Sequence, residues 1–460
     1  MLRLKRLYSR WESWCGATVN RSIFGAAVAV GLLTLLVRVV SVVKEIIVAR
    51  AFGVGDSLDA FLMAFVAPSF IIGVFAGSFY SAFIPVLVGV REKSGHFAAK
   101  QLFSSVAFMA MVILSVTTGA LSLSDEWLIM RFASGFDPSK LAKTISLCNQ
   151  MLPLILISGM SLFGGAVLNA QKKFALIAAA PVVTPIALIL LLGFFQEIGV
   201  TPQLLVTGTL IGAFIELCIV LWGLHKTGYL CLPIWRGFDA NSRKVASQYM
   251  PMIGGAFLMS GTVVVDQVMA AWLAPGSVSA LSYATKVPAL ITGLGATTIG
   301  TVVLPYLSQQ IAEQNYSALK RTLVTYSKLI IVISVSLTLL GLYVSEKLVE
   351  ILFERGAFVR ADTVLVGEIM RYSLLQVPFY ILGTLFARFV SVMSGNSFLL
   401  YVAILNLFLN VVMNVALMQM MGVAGIALST AIVYCVSTAL LGWIVVSTIN
   451  RENGQGVIKM

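Results

Sequence analysis

Residues 34–87, TLLVRVVSVVKEIIVARAFGVGDSLDAFLMAFVAPSFIIGVFAGSFYSAFIPVL, cover parts of two apolar stretches of membrane-crossing length and set charge inside the first of them. On a helix Thr34, Arg38, Ser41 and Glu45 return to nearly one face, because steps of three, four and seven residues come back to the same side, and Lys44 borders that stripe. A charged side chain at the bilayer centre costs about 2.5–3.5 kcal/mol on insertion scales. The stripe therefore faces protein, water or a ligand rather than lipid, and it reads as the lining of a cavity through which something anionic passes.

The whole chain supports a membrane setting. Its 460 residues are 59% hydrophobic and 11% charged, with a mean hydropathy of +0.97, against roughly 25% charge in soluble domains. No soluble domain is evident. The net charge of +12 is scattered through short connections rather than gathered into a patch, which argues against nucleic acid as a partner. Five cysteines show no CxxC or Cys/His spacing, so neither a disulfide framework nor a metal site is indicated. His96 and His225 fall in or near connections and no GxSxG motif occurs, so catalytic chemistry is not indicated. The basic start, MLRLKRLYSRWESWCGATVNR, precedes an apolar run too long for a signal peptide, and that run is read as a retained first membrane helix.

About twelve helix-length apolar stretches recur, near 23–50, 57–90, 99–123, 144–169, 174–195, 203–225, 245–274, 278–310, 322–344, 363–390, 398–420 and 424–448. Membrane β-barrels alternate apolar and polar residues over about ten positions. This chain does not, so the expected fold is all-α: a polytopic membrane protein of about twelve transmembrane helices in two six-helix bundles around a central cavity. Basic residues concentrate in the connections near 91–100, 172–173, 226–244 and 320–321 and at both termini, which predicts cytoplasmic termini. The expected organisation is a basic N-terminus over 1–22, a bundle over 23–225, a cytoplasmic linker over 226–244, a second bundle over 245–448 and a tail over 449–460. Two amphipathic pieces, EWLIMRFASGF and EKLVEILFERGAF, are too short to span and are expected to lie at the membrane interface.

The two halves read as repeats. At an offset of 221 residues Glu45 meets Asp266, Phe52 meets Leu273, Gly55 meets Gly276, Phe132 meets Phe353 and Gly135 meets Gly356. One residue less pairs Pro68 with Pro288, Pro85 with Pro305 and Leu87 with Leu307. Six spans per half, both starting from one side, give parallel repeats about an axis along the membrane normal, the plan of an alternating-access transporter.

Particular segments then carry a resemblance. RVVSVVKEIIVARAFGVGDSLDAFLMAFVAPSF (38–70) and SAFIPVL (81–87) are similar to the opening of the MurJ/MviN lipid II flippase family, within the superfamily that includes MATE exporters and polysaccharide flippases. In the second half VVVDQVMAAWLAPGSVSALSYATKV (263–287), TVVLPYLS (301–308), LVEILFERGAF (348–358) and GVAGIALSTAIV (422–433) resemble the corresponding segments. The resemblance implies a cationic cavity in a bacterial cytoplasmic membrane, moving an undecaprenyl-pyrophosphate-linked glycan to the outer leaflet, with glycan-synthesis or polymerase enzymes as neighbours. It places functional charges at Arg38, Lys44 and Asp59, with Lys44 for the usual arginine and Glu45 for the usual aspartate, and Lys286 where arginine is frequent. Two departures direct the expected cargo toward a polysaccharide repeat unit, with lipid II as the alternative. Ile72 and Gly73 stand in place of an arginine pair in PSFIIGVFAGSFYSAF, and the chain stops soon after its twelfth span.

Arginine offers phosphate a bidentate fork and lysine a point charge, so Arg38, Lys44 and Lys286 suit a pyrophosphate. The competing structural reading pairs Arg38 with Glu45 and Lys286 with Asp266. Glu45 and Asp266 read either as counter-ions or as a coupling-cation site, membrane potential being the other source of drive; no other cofactor is expected. Asp59 reads alternatively as a cap at its own helix start beside Ser57, and Glu368 is expected to pair with Arg371. Pro68 and Pro288 are candidate hinges. A MATE-like antiporter of organic cations would line its cleft with carboxylates and aromatics instead, and a membrane scaffold would need no charged stripe.

Overall fold

The computed structural model describes residues 18–195, 199–313, 315–393 and 395–454. Most of the basic N-terminal segment expected over 1–22, and residues 455–460 of the tail, lie outside the described residues. The helices are α1 (Thr18–Phe52), α2 (56–94), α3 (96–132), α4 (Pro138–Ala170), α5 (Phe174–Phe195) and α6 (Pro202–Lys226) in the first half. The second half holds α7 (Ala240–Ala271), α8 (Ser277–Ala312), α9 (Tyr316–Phe353), α10 (Arg360–Val392), α11 (Asn396–Met421) and α12 (Val423–Gly454). Ten helical runs among the described residues are apolar and long enough to cross a membrane. One of these, 56–132, breaks at Gly95 (φ 81°) into α2 and α3, and α1, with five charged residues along its length, adds another pass, giving the expected twelve.

Local chemistry sets the boundaries. Asp137 caps α4, accepting from the backbone N–H groups of Ser139 (2.8 Å) and Lys140 (3.0 Å), and Pro138 occupies the first helical position, where a missing N–H costs nothing. The Lys140 N–H bond, followed by the Ser139 hydroxyl, holds the Asp137 carboxyl below its ordinary pKa. Asp239 caps α7 through Ser242 N–H (2.8 Å), and Gly422 at φ 58° separates α11 from α12. The two amphipathic pieces are continuous with the helices that precede them. Their first parts, 126–132 and 346–353, form the last turns of α3 and α9, which end at Phe132 and Phe353 shortly before Gly135 and Gly356.

At one end of the bundle the halves meet around a local two-fold. A Cβ built on Gly356 would lie 2.4 Å from the carbonyl oxygen of Arg50 at the end of α1, and one on Gly135 would lie 2.5 Å from that of Ala271 at the end of α7. Both the glycines and their contacts are related by the repeat offset of 221. Between them the equivalent glycines at the starts of α2 and α8 approach, Gly276 placing its would-be Cβ 3.7 Å from Gly55 N. Ala357 N–H donates to Arg50 O at 2.9 Å and completes the contact. The matched glycines of the sequence are therefore places where backbone meets backbone across the halves.

The two seams between the halves differ. Along one, α2 and the start of α3 pack against α7, with Phe79 stacked on Tyr249 at 3.9 Å between ring centroids and Phe70 edge-on to Phe257 at 5.3 Å. Along the other, α1 and α8 have no comparable backbone packing among the described residues, and α1 lies instead on α5. Residues 227–239 run as an irregular strap along α3, where Ser104 Oγ donates to Leu232 O (2.7 Å) and accepts from Ile234 N–H (3.1 Å).

Candidate functional site

The loosely packed seam holds the charged stripe. α1 and α8 run antiparallel across it, so two residues seven apart on one helix face two seven apart on the other: Glu45 opposite Lys286 and Arg38 opposite Gly293. Glu45 Oε1 accepts from Lys44 Nζ at 2.6 Å and pairs with Lys286 Nζ at 2.9 Å. Arg38 Nη2 lies 3.8 Å from the position a Cβ on Gly293 would take, which places the guanidinium beside α8 at van der Waals distance. Among the described residues Arg38 makes no ion pair, leaving three cations around one carboxylate. Lys286 pairs with Glu45 rather than with Asp266, and Arg38 does not pair with Glu45. An ionised group in a membrane interior is retained where it meets a charged ligand or water, and the surplus positive charge here suits a phosphate.

Asp266, the repeat partner of Glu45, sits in a neutral cage. Oδ1 accepts from Asn410 Nδ2 (3.0 Å) and Asn414 Nδ2 (2.8 Å), and Oδ2 from Thr430 Oγ1 (3.2 Å). The carboxylate lines a cavity of about 240 Å³ within the second bundle, with Gln267, Thr285, Tyr380 and Tyr434. Asn410 Oδ1 and Asn414 Oδ1 are buried without hydrogen-bond donors. Rotating either amide about its last bond would turn that oxygen toward the carboxylate, and with Thr430 Oγ1 this gives up to four oxygen donors, a set suited to a hard cation. Val263 and Gln267 line both this cavity and a second, of about 300 Å³, reached from Ser69 and Phe70 of α2, so the cage adjoins the interface between the halves. The asparagines were readable in the sequence as Asn406, Asn410 and Asn414 at spacing four in the otherwise apolar α11, a signal the charge-led reading passed over.

Asp59 does not cap its own helix. Its carboxylate, 1% exposed, accepts from Gly276 N–H (2.7 Å) and Ser279 N–H (2.8 Å) at the start of α8, fastening the first half to the second. Lys140, 5% exposed at the start of α4, bridges Asp59 (2.9 Å) to Asp56 (2.6 Å) and lies 3.8 Å from the centre of the Phe136 ring. Lys140 is not among the residues the sequence nominates. Its link to α2 is tertiary and has no local signature.

Pro68 and Pro288 lie within α2 and α8, and each is followed by a π-helical turn, Ile72–Ala76 and Ile299–Val303. An extra residue in a helical turn loosens the hydrogen-bond ladder where bending is easiest. Gly73 faces Ser260 of α7, its would-be Cβ 3.8 Å from Ser260 Oγ. Ile72 and Gly73 therefore sit at the packed seam, away from the cations of α1 and α8. Arg371 bonds Ser345 Oγ (2.9 Å) and Glu346 (3.4 Å) on α9 rather than its helix neighbour Glu368.

The sequence model of a family described as lipid II flippase MurJ matches residues 48–459. A protein of Buchnera aphidicola subsp. Acyrthosiphon pisum described as a probable lipid II flippase MurJ is 26% identical over 421 residues, covering 90% of this chain and 82% of its own. The Burkholderia cenocepacia lipid II flippase MurJ is 29% identical over 312 residues, 65% of this chain and 60% of its own. Among solved structures, a lipid II flippase MurJ in an inward closed conformation superposes with a TM-score of 0.78 at 22% identity, covering 91% of this chain and 87% of that one. An inward-facing MATE multidrug transporter superposes at 0.74 with 13% identity, over 93% and 99% of the two chains.

Proposed function

The chain belongs to the lipid II flippase MurJ family, and from that premise we propose that it carries lipid II from the inner to the outer leaflet of a bacterial cytoplasmic membrane, with both termini cytoplasmic. The observation that carries this reading is the α1–α8 seam, where Arg38, Lys44 and Lys286 surround a single Glu45 in a membrane-embedded cleft. The pyrophosphate binds these cations, and the prenyl chain lies in lipid through the same seam, where the helices do not pack tightly. Without such a route each unpaired hydroxyl of the sugar would cost roughly 2–7 kcal/mol in hydrocarbon. The family match spans the segment with Ile72 and Gly73, which favours lipid II over a polysaccharide repeat unit.

Alternating access follows from the closure at Asp59. Outward opening breaks its two bonds to the start of α8 and separates the paired glycine contacts, while α2 and α8 bend near Pro68 and Pro288. Glu45 holds the lysines when substrate is absent and releases them to the phosphates when it binds. A coupling cation, held by Asp266, Asn410, Asn414 and Thr430, would supply the charge their buried oxygens lack.

The test is leaflet accessibility of lipid II in cells depleted of their own flippase and complemented with this chain. The wild-type chain restores outer-leaflet labelling, and a membrane-inserted Arg38→Ala/Lys44→Ala/Lys286→Ala variant does not. A triple variant that translocates normally overturns the site, and a wild-type chain that exports a polysaccharide repeat unit but no lipid II overturns the cargo.

A further inference from the structure

A cavity of about 520 Å³ opens outside the central seam, between α1, the α4–α5 turn and the end of α6. Its lining includes Lys172, Lys173 and Lys226 together with Trp222, Phe174 and Val30, and no carboxylate is among its lining residues. None of the three lysines forms an ion pair among the described residues. The turn is specifically shaped. Lys172 has φ 61°, the left-handed conformation that no other non-glycine residue described here adopts, and the turn is fixed by Lys172 N–H to Asn169 O (2.8 Å) and Lys173 N–H to Leu168 O (2.9 Å). The last turn of α6 sets Lys226 Nζ 5.5 Å from the centre of the Trp222 ring.

Trp222 is 57% and Phe174 38% exposed, on helices that cross the membrane, so these rings border lipid while the lysines lie at the basic end of the bundle. An aromatic beside a lysine at a helix end marks the depth of the phospholipid headgroups. A soluble anion would have no use for the apolar half of the wall, and an acyl chain would have no use for three lysines.

We propose that this cavity is a binding site for an anionic glycerophospholipid of the cytoplasmic leaflet, its phosphate held by Lys172, Lys173 and Lys226 and its upper acyl chain resting on Trp222, Phe174 and Val30. Basic pockets between transmembrane helices on that side recognise such headgroups. The site lies on the first bundle against α1, the helix that carries Arg38 and Glu45, so its occupancy bears on the wall of the central seam.

The experiment places the full chain in phosphatidylcholine nanodiscs containing a minor fraction of brominated-acyl phosphatidylglycerol or brominated-acyl phosphatidylcholine. The quenching contributed by Trp222 is read as the difference between wild type and Trp222→Phe. The expected result is quenching of Trp222 by phosphatidylglycerol at least roughly threefold that by phosphatidylcholine. Lys172→Gln/Lys173→Gln/Lys226→Gln, compared with the same chain carrying Trp222→Phe, loses this preference. The corresponding arginine variant keeps it, and so does Arg91→Gln/Lys93→Gln/Lys100→Gln on the same end of the bundle. Equal quenching by the two lipids overturns the site, as does an unchanged preference in the pocket glutamine variant or an equal loss in the control. Abolition of the preference by millimolar inorganic phosphate at constant ionic strength overturns the lipid assignment in favour of a soluble phosphate.

Discussion

Glu45 and Asp266 occupy equivalent positions in the two halves, yet their surroundings are opposites. Glu45 lies between two lysines in the open seam, whereas Asp266 is surrounded by two amides and a hydroxyl inside its own bundle. The repeat has kept a carboxylate in the first helix of each half and changed what surrounds it. Lys44 stands against Val265 and Arg38 against Met259 at the repeat offset, so the cations belong to one half's first helix alone. A carboxylate that already has cations can release them to an anion; one that has only dipoles can accept a cation. In the proposed function this contrast divides the labour between an anion site and a coupling site.

The largest effect that would break this division comes from the cations. Hydrogen bonds to charged groups contribute about 1.5–3 kcal/mol each, and each 1.4 kcal/mol is tenfold. Lys44→Ala/Lys286→Ala is therefore expected to lower lipid II translocation by roughly a hundredfold or more, measured by outer-leaflet labelling at matched expression. Translocation within a few-fold of wild type would place the phosphate elsewhere. Next comes Asp266→Asn, which keeps the shape of the cage and removes its charge. The expected loss is roughly tenfold in gradient-dependent transport, about the worth of one charge-assisted contact, with lipid II affinity in detergent unchanged. If Asp266→Asn weakens lipid binding as much as the lysine variant does, the two carboxylates serve one site.

A third prediction concerns the closure, where the halves also differ. Asp59 fastens α8, but its repeat counterpart is Ala280, which can make no such bond. Asp59→Ala removes two bonds from backbone N–H groups to a carboxylate and leaves buried Lys140 with Asp56 alone. Opening toward the outside is expected to rise severalfold to roughly tenfold, read as labelling of Ser282→Cys by an impermeant thiol reagent in a chain freed of its native cysteines. Unchanged labelling would mean that the glycine contacts alone keep that end shut.

How much of this was legible varies with the range of the interaction. The twelve passes follow from apolar length and from local breakers such as Gly95 and Pro138, and the repeat followed from matched prolines and glycines. The stripe on α1 was readable because Arg38, Lys44 and Glu45 share one helix. Their partner on α8 was nominated as a residue, but the Glu45–Lys286 pair is set by how two bundles meet, which no local pattern encodes. Lys140 was overlooked for the same reason. The helix-end assignment of Asp59 failed differently: a carboxylate near a helix start is the usual local cap, and here the helix start it serves belongs to the other half. The asparagines of α11 carry no formal charge, and only their spacing of four marks them as one polar stripe in an apolar helix.

The smallest expected effects test whether the closure is truly two-fold. Gly356 and Gly135 touch equivalent carbonyl oxygens, of Arg50 and Ala271, at 2.4 and 2.5 Å from their would-be Cβ atoms. A methyl group at either place must push the halves apart, and overpacking of this kind costs about 1–3 kcal/mol. The two sites are not alike in backbone, however. Gly356 has φ 65°, where an L-residue loses roughly a further 1–2 kcal/mol, while Gly135 is not among the glycines with positive φ. If steric separation alone governs opening, Gly356→Ala and Gly135→Ala raise Ser282→Cys labelling equally, and Gly356→Ala is additionally the less thermally stable of the two. If Gly356→Ala opens the outer end and Gly135→Ala does not, the contact of 356 with α1 is the one that holds the substrate seam closed. The symmetry at that end is then structural inheritance, and the closure acts through the same helix that carries Arg38 and Glu45.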